Sequence, residues 1–347
     1  MAVLTPPRPK TELMNVLWDI QRKRRFISHD DMTKICEEFH MSRMELEGVI
    51  TFYHFFHRTH SGKYTIYLNT SLASKQKKFK KVKKAFEKEC GTRFETVSND
   101  KMFGLFLTSC IGLSDQETAA LINFVPFTHL TAKKVRAIID HLKKGEPIDS
   151  LFELPDTNIR YSPTQEKTIF FKDFTTGTSL EKLVKISPEE VIGLIKDSRL
   201  KGRGGAFFPT GIKWELCRNN SSDQKYIICN ADEGEPGTFK DRVLLQRYAS
   251  LLIEGMTIAG YAVGADKGII YLRAEYFYLR DLVQNAIDEA TQQAYLGKNI
   301  TGIEGFNFDI SIHMGAGAYI CGEETALIHS MEGKRGEPST KEYFPVE

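Results

Sequence analysis

The stretch that decides the reading is Gly315-Ala316-Gly317-Ala318-Tyr319-Ile320-Cys321-Gly322-Glu323-Glu324-Thr325-Ala326, which follows an apolar segment, Phe308 to His313, with the character of a strand. A companion lies earlier in the chain. It runs Gly202-Arg203-Gly204-Gly205-Ala206-Phe207-Phe208-Pro209-Thr210-Gly211, then, after the apolar Tyr226 to Cys229, Asn230-Ala231-Asp232-Glu233-Gly234-Glu235-Pro236-Gly237. Glycine has no Cβ, so its backbone can approach a phosphate or a flat ring closely. Carboxylates beside it can accept hydrogen bonds from sugar hydroxyls. Together they point to a pocket for a nucleotide cofactor, although neither run has the spacing of a dinucleotide fingerprint or a P-loop. Gly, Asn and Asp are also the ordinary residues of turns.

Outward from these runs, apolar segments of strand length alternate with helical periodicity. Ser187, Pro188 and the pair Glu189, Glu190 mark a helix start. Leu251 to Val263 and Leu279 to Tyr295 read as helices, and Gly268 to Arg273 as a buried strand. Such alternation implies a parallel α/β sheet, with ligands beyond the carboxyl ends of its strands. Both glycine runs and the acidic loop can converge there.

The first part of the chain has a different rhythm. Leu13, Val16, Leu17 and Ile20 follow helical spacing, as do Thr33, Ile35, Cys36 and Phe39, and a third helix is expected over Met44 to His57. Strands are expected at 64–68, 103–108 and 119–123, and a helix over Lys133 to Leu142, an order that suits a thioredoxin-like unit. The lysine-rich run from Lys75 to Lys84 is read as a solvated helix face packed by Phe79, Val82 and Phe86, not as a nucleic-acid site. A Pro-, Asp- and Thr-rich stretch over 146–170 is the expected linker between a module over 1–145 and a domain over 171–347.

A chain of 347 residues is long enough for two cores, and a formal net charge of +2 demands neither nucleic acid nor an anionic surface. No apolar run approaches the ~20 residues that span a bilayer. The six cysteines include no C-x-x-C, which argues against a disulfide framework and against a self-contained metal site. A cytoplasmic location is expected.

As strings, the runs resemble the flavin- and NADH-binding subunit of respiratory complex I and its relatives, the diaphorase subunits of NAD-reducing hydrogenases and NAD-dependent formate dehydrogenases. Four blocks occur in the family's order: Gly202 to Trp214, Asn230 to Arg242, Gly315 to Leu327, and Glu332-Gly333-Lys334-Arg335-Gly336. The first part is similar to the thioredoxin-like ferredoxin that partners this flavoprotein, through Gly48 to Phe56, Gly62 to Tyr67 and Met102 to Glu117. The combination resembles the fused flavoprotein subunit of soluble NAD-reducing hydrogenase.

The resemblance implies a thioredoxin-like module followed by a Rossmann-like α/β domain that binds FMN and NAD(H). Gly202, Arg203, Gly204, Gly205 and Lys213 match positions that wrap the FMN. Asn230, Asp232, Glu233 and Glu235 match the acidic side of the cofactor site, and Tyr319, Gly322, Glu323 and Glu324 its second wall. Phe208 and Phe344 match aromatics that stack on adenine, and Lys341 a cation near the same dinucleotide. Glu233 and Glu324 are the carboxylates expected nearest the chemistry.

Three departures qualify the expectation. Phe207 stands where the family has a third glycine. The four cysteines that hold the ferredoxin's 2Fe–2S cluster correspond to Asn69, Ser74, Cys110 and Ser114, so no iron–sulfur cluster is expected in this chain. The family's ubiquitin-like and iron–sulfur regions beyond the fourth block are absent from this sequence. The function expected is NADH:acceptor oxidoreduction, by hydride exchange between NAD(H) and FMN, among other subunits of a hydrogenase, formate dehydrogenase or complex I-like assembly. The alternative is a truncated, non-catalytic remnant or docking subunit.

Overall fold

The structure, a computed structural model, describes residues 6–158, 174–204, 206–341 and 344–346. Gly205 and the later part of the expected linker lie outside the described residues. The chain opens with three helices, α1 (Leu13–Arg24), α2 (His29–Phe39) and α3 (Arg43–Phe52). Ser28 and Ser42 start α2 and α3 through capping boxes closed by Asp31 and Glu45.

The thioredoxin-like module follows: β1 (Tyr64–Asn69), α4 (Leu72–Lys75), α5 (Phe79–Cys90), β2 (Thr96–Val97), β3 (Phe103–Thr108), β4 (Ala120–Ile122), β5 (Val125–Phe127) and α6 (Ala132–Lys143). The sheet order is β2-β3-β1-β4-β5, with β1 and β3 parallel and the other pairs antiparallel. Val82, Phe86 and Cys90 of α5 and Val135, Ile139 and Leu142 of α6 close its core against Ile66, Leu68, Phe103 and Leu105. The strand expected over 119–123 stops at Ile122, because Asn123 and Phe124 both take positive φ and turn the chain into β5. A two-residue hairpin turn requires that conformation.

The second half contains α7 (Leu180–Leu183), α8 (Pro188–Asp197), α9 (Thr210–Asn219), β6 (Tyr226–Ala231), α10 (Lys240–Val263), β7 (Lys267–Leu272), α11 (Arg280–Gln292), β8 (Asp309–Met314) and α12 (Glu324–Met331). Strands β6, β7 and β8 form a parallel sheet in that order, with α10 and α11 as the crossovers. Helix α10 begins well before the expected Leu251 and carries a break at Tyr248, where φ is −136° and ψ 35°.

The largest core does not respect the order of the chain. Leu13, Leu17 and Trp18 of α1 and Val49 and Ile50 of α3 belong to the same buried cluster as Ile270, Leu272, Met314 and Leu327. Trp18 donates its indole Nε1–H to the carbonyl of Gly315 at 3.1 Å. The helix expected to reach His57 ends at Phe52, because His54 N–H and Phe55 N–H are given to the carbonyls of Gly317 and Ala316 at 3.1 and 3.2 Å. Gly317 sits at φ +84°, and a Cβ there would lie 2.5 Å from the Phe55 ring. The N-terminal helices thus brace the second glycine run from behind. No helix among the described residues is long and apolar enough to cross a membrane.

Candidate functional site

The acidic loop leaves the carboxyl end of β6, where a parallel sheet presents its ligand site. Asn230 closes the loop on itself by accepting from Asp232 N–H at 3.1 Å, and donates Nδ2–H to the carbonyl of Gly322 at 2.9 Å. That second bond joins the acidic loop to the other glycine run. Tyr319 adds another link, with its hydroxyl donating to Glu235 at 2.6 Å while its ring packs over Gly234.

Asp232 is the unusual group. Its Oδ2 is buried and has no hydrogen-bond partner among the described residues. Burial pushes its carboxyl up to about 7, against the pull of Arg273 and with Glu275 adding to the rise. A buried acceptor without a donor costs roughly 1–3 kcal/mol, so such an atom calls for a hydroxyl or N–H from elsewhere.

Glu233 points the other way. Its carboxylate accepts from Asp241 N–H at 2.9 Å, Arg242 N–H at 3.2 Å and the Tyr276 hydroxyl at 2.6 Å. It is the N-terminal cap of α10, supplied from outside the helix, and Lys240 Nζ lies 3.6 Å from the same carboxylate.

The second glycine run passes through a single turn over Tyr319–Gly322 into α12. Glu323 caps α12, with Oε2 accepting from Thr325 N–H at 2.9 Å and Ala326 N–H at 3.0 Å. Burial opposes its ionisation, but those bonds, the Thr325 hydroxyl and Lys341 outweigh it and hold the carboxyl down at about 2. Glu324 lies between two cations, with Lys341 Nζ at 2.6 Å and Lys213 Nζ at 3.8 Å, and Lys341 also reaches Glu323 at 3.1 Å.

The first glycine run is a tight loop, pinned where Gly202 N–H meets the Phe208 carbonyl at 2.8 Å and Thr210 N–H the Leu200 carbonyl at 2.9 Å. It delivers the chain into α9, whose first turn has no side-chain cap and carries Lys213. Uncapped N–H groups beside a cation form an anion site. Phe207 keeps the left-handed φ of +51° that suits a glycine, and the residue is 57% exposed. Phe208, Arg203 and Gly204 are exposed on the same loop, and Phe344 is exposed near Lys341, whose ammonium lies 5.9 Å from its ring centre.

The expected residues therefore fall into two groups, joined in the chain where Gly322 meets Glu323. Asn230, Asp232, Glu235, Tyr319 and Gly322 are tied together directly, as are Lys213, Glu323, Glu324 and Lys341; Gly205 lies outside the described residues. Sequence reasoning missed Arg242, Arg273 and Tyr276, which are buried behind the acidic loop. The bonds by which they join the acidic loop to distant segments span 40 to 163 residues, so no local pattern announces them.

Known proteins carry the same two parts. The family profile of the Nuo51 FMN-binding domain matches residues 195–347, and that of the thioredoxin-like 2Fe–2S ferredoxin matches residues 3–143. The NAD-reducing hydrogenase HoxS subunit alpha of Cupriavidus necator is 47% identical over 97% of this chain and 58% of its own length. Residues 195–347 belong to the Nuo51 FMN-binding domain family and residues 3–143 to the thioredoxin-like 2Fe–2S ferredoxin family. One component of the NADH-quinone oxidoreductase of Aquifex aeolicus is 53% identical over 49% of the chain and 39% of its own length. The crystal structure of an air-oxidised NAD+-reducing NiFe hydrogenase aligns with a TM-score of 0.83 at 33% identity, over 99% of this chain and 58% of that one. The chain thus spans under two thirds of the relatives it matches along its whole length.

One expectation is corrected here. A count of thiols predicts no iron–sulfur cluster, whereas the profile matched over 3–143 is that of a 2Fe–2S ferredoxin and points to one. The count weighs four donor positions; the match extends over the whole module. At those four positions the structure has Asn69, which donates to the buried Glu117, Ser74, and Cys110 with its Sγ 3.4 Å from Ser114 Oγ. Among the described residues no three His, Cys, Asp or Glu side chains converge as metal ligands.

Proposed function

We propose that this chain is the NAD(H)- and FMN-binding module of a diaphorase, exchanging a hydride between NAD(H) and FMN in the cytoplasm, as one subunit of a hydrogenase- or complex I-like assembly. The observation that carries the reading is the buried, partnerless Oδ2 of Asp232, set beside a loop and a helix start suited to a phosphate. The residues present fit an FMN. Asp232 and Asn230 would take ribityl hydroxyls, and the first turn of α9 with Lys213 and Arg203 would take the phosphate. Gly204 and Gly322 leave room for a flat ring, since a Cβ at Gly204 would meet nothing within 4 Å and one at Gly322 nothing nearer than 3.4 Å.

When bound, the flavin supplies the hydride chemistry itself, so the chain's part is placement and charge. Lys341 and Lys213 hold Glu324 at the rim, where its carboxylate orients a nicotinamide amide, and Phe208 and Phe344 offer faces for an adenine. Glu233 acts through its hold on α10. The proposal keeps the division into a module over 1–145, a linker over 146–170 and a cofactor domain over 171–347.

The test is an FMN titration of the purified chain followed by anaerobic stopped flow with NADH. Tight, stoichiometric FMN binding and bleaching of the flavin band are expected. FMN binding without bleaching at saturating NADH would favour a non-catalytic docking subunit.

A further inference from the structure

Two buried guanidinium groups occupy the seam between the thioredoxin-like module and the acidic loop. Arg242, in the first turn of α10 and fully buried, donates Nε–H to the carbonyl of Gly112 at 3.0 Å, one Nη to the carbonyl of Asp156 at 2.9 Å and the other to the Asp115 carboxylate at 2.8 Å. Arg273, at the end of β7, donates to the carbonyl of Cys110 at 2.8 Å, to both oxygens of Glu275 at 2.7 and 3.0 Å, and to the backbone carbonyl of Glu233. Tyr276 completes the set. Its hydroxyl donates to the Glu233 carboxylate at 2.6 Å and presses on Gly112, where a Cβ would approach to 2.0 Å.

A guanidinium has five donors in a fixed fork and cannot shed its charge. Once buried, it holds its acceptors in place, because an acceptor or a guanidinium N–H left unpaired away from water keeps its full desolvation cost. Both arginines spend donors on the loop Cys110–Asp115 of the module. On the other side of the seam, Arg273 grips the main chain at Glu233, and Arg242 offers its own N–H to the Glu233 carboxylate. Asp232 is the next residue in the chain.

We propose that Arg242 and Arg273 are positioning residues, and that the loop Cys110–Asp115 is the strut that sets the acidic loop for its ligand. The N-terminal module is then part of the cofactor site without touching the cofactor. The inference rests on the cofactor reading above for its ligand, and on the seam alone for its mechanics.

The experiment uses the full chain and compares Asp115→Asn with Asp149→Asn, an exposed change just beyond the module. Hydrogen exchange over 230–242 is followed in the flavin-free protein, FMN affinity by quenching of flavin fluorescence, and stability by thermal melting. Losing the charge of one charge-assisted bond is expected to speed exchange over 230–242 and weaken FMN binding, each about fivefold. Asp149→Asn should change neither. Arg242→Lys, which keeps the charge but loses the fork, should give the same pattern with a loss of roughly ten- to a hundredfold. Faster exchange confined to 110–116, or a lowered melting point with unchanged FMN affinity, would overturn the proposal. If the wild-type chain takes no FMN, the cofactor reading fails, and the exchange over 230–242 still decides the strut.

Discussion

Replacing Asp232 by Asn should stabilise the flavin-free chain and weaken its grip on FMN. The side chain is nearly isosteric, so the change is one of charge. Burial raises the folded carboxyl from 3.8 to about 7. Between those values the unfolded chain has released its proton and the native state retains it, so native stability falls as pH rises through the window and the full cost is present above about 7. The gap corresponds to at most about 4 kcal/mol at 1.36 kcal/mol per pH unit. Even a quarter of that, about 1 kcal/mol, raises the melting temperature by roughly 1–2 °C in a chain of this size. The rise should be seen at pH 8 and vanish near pH 4.

Binding runs the opposite way. Hydroxyls donating to Oδ2 favour the carboxylate, so wild-type affinity for FMN should climb as pH rises towards 7 and level off above it. In the Asn variant the charge-assisted bonds are lost, at roughly 1.5–3 kcal/mol, or about ten- to a hundredfold in Kd. The flavin phosphate titrates near 6 for both proteins, so the difference between their two pH curves belongs to Asp232. Fluorescence titrations from pH 6 to 8 and melts from pH 4 to 8 suffice. An Asn variant that binds FMN as tightly as the wild type at pH 8 would refute the reasoning.

Glu323→Ala should remove the cap of α12 and cost about 1 kcal/mol at neutral pH; because its carboxyl is held down at about 2, the contribution is present above about 4.5 and disappears as pH falls through 2, which acid titration of the variant and wild type would show. Phe207→Gly should tighten FMN by about tenfold if the exposed ring trespasses on the flavin's seat, an overpacking cost of ~1–3 kcal/mol, and equal affinities would place the ring elsewhere. Gly112→Ala should destabilise by several kcal/mol, whereas Gly91→Ala, at a similar positive φ but with open space around it, should cost about 1 kcal/mol; equal melting points for the two would remove the Tyr276 contact from the account.

Short-range signals served the sequence reading well and long-range ones not at all. Ser187, Pro188 and Glu190 form the capping box that their order announces, and Phe103–Thr108 is a strand from end to end. The start of α10 was illegible, because its cap is Glu233 across a loop and its first turns, Lys240 to Arg247, are dense with charge. For the same reason Glu233 reads as a ligand group in the string and serves as a helix cap in the fold. The family blocks marked Asn230, Asp232 and Gly322 as neighbours, and the structure joins them. The strings did not contain the depth to which Asp232 is buried, or the arginines that hold its loop, since burial depends on the whole chain. The cluster expectation failed through reliance on four positions alone.

The bond from Trp18 to the carbonyl of Gly315 spans 297 residues. During synthesis at roughly 5–20 residues per second, the apolar faces of α1 and α3 leave the ribosome about 15–60 s before the strands that bury them exist. A nascent chain in that interval displays Leu13, Leu17, Trp18, Val49 and Ile50 to the solvent, although all are buried at the end. The first three helices are thus the part of this protein most in need of a chaperone's hold, and a fragment cut after the thioredoxin-like module would carry that adhesive surface permanently.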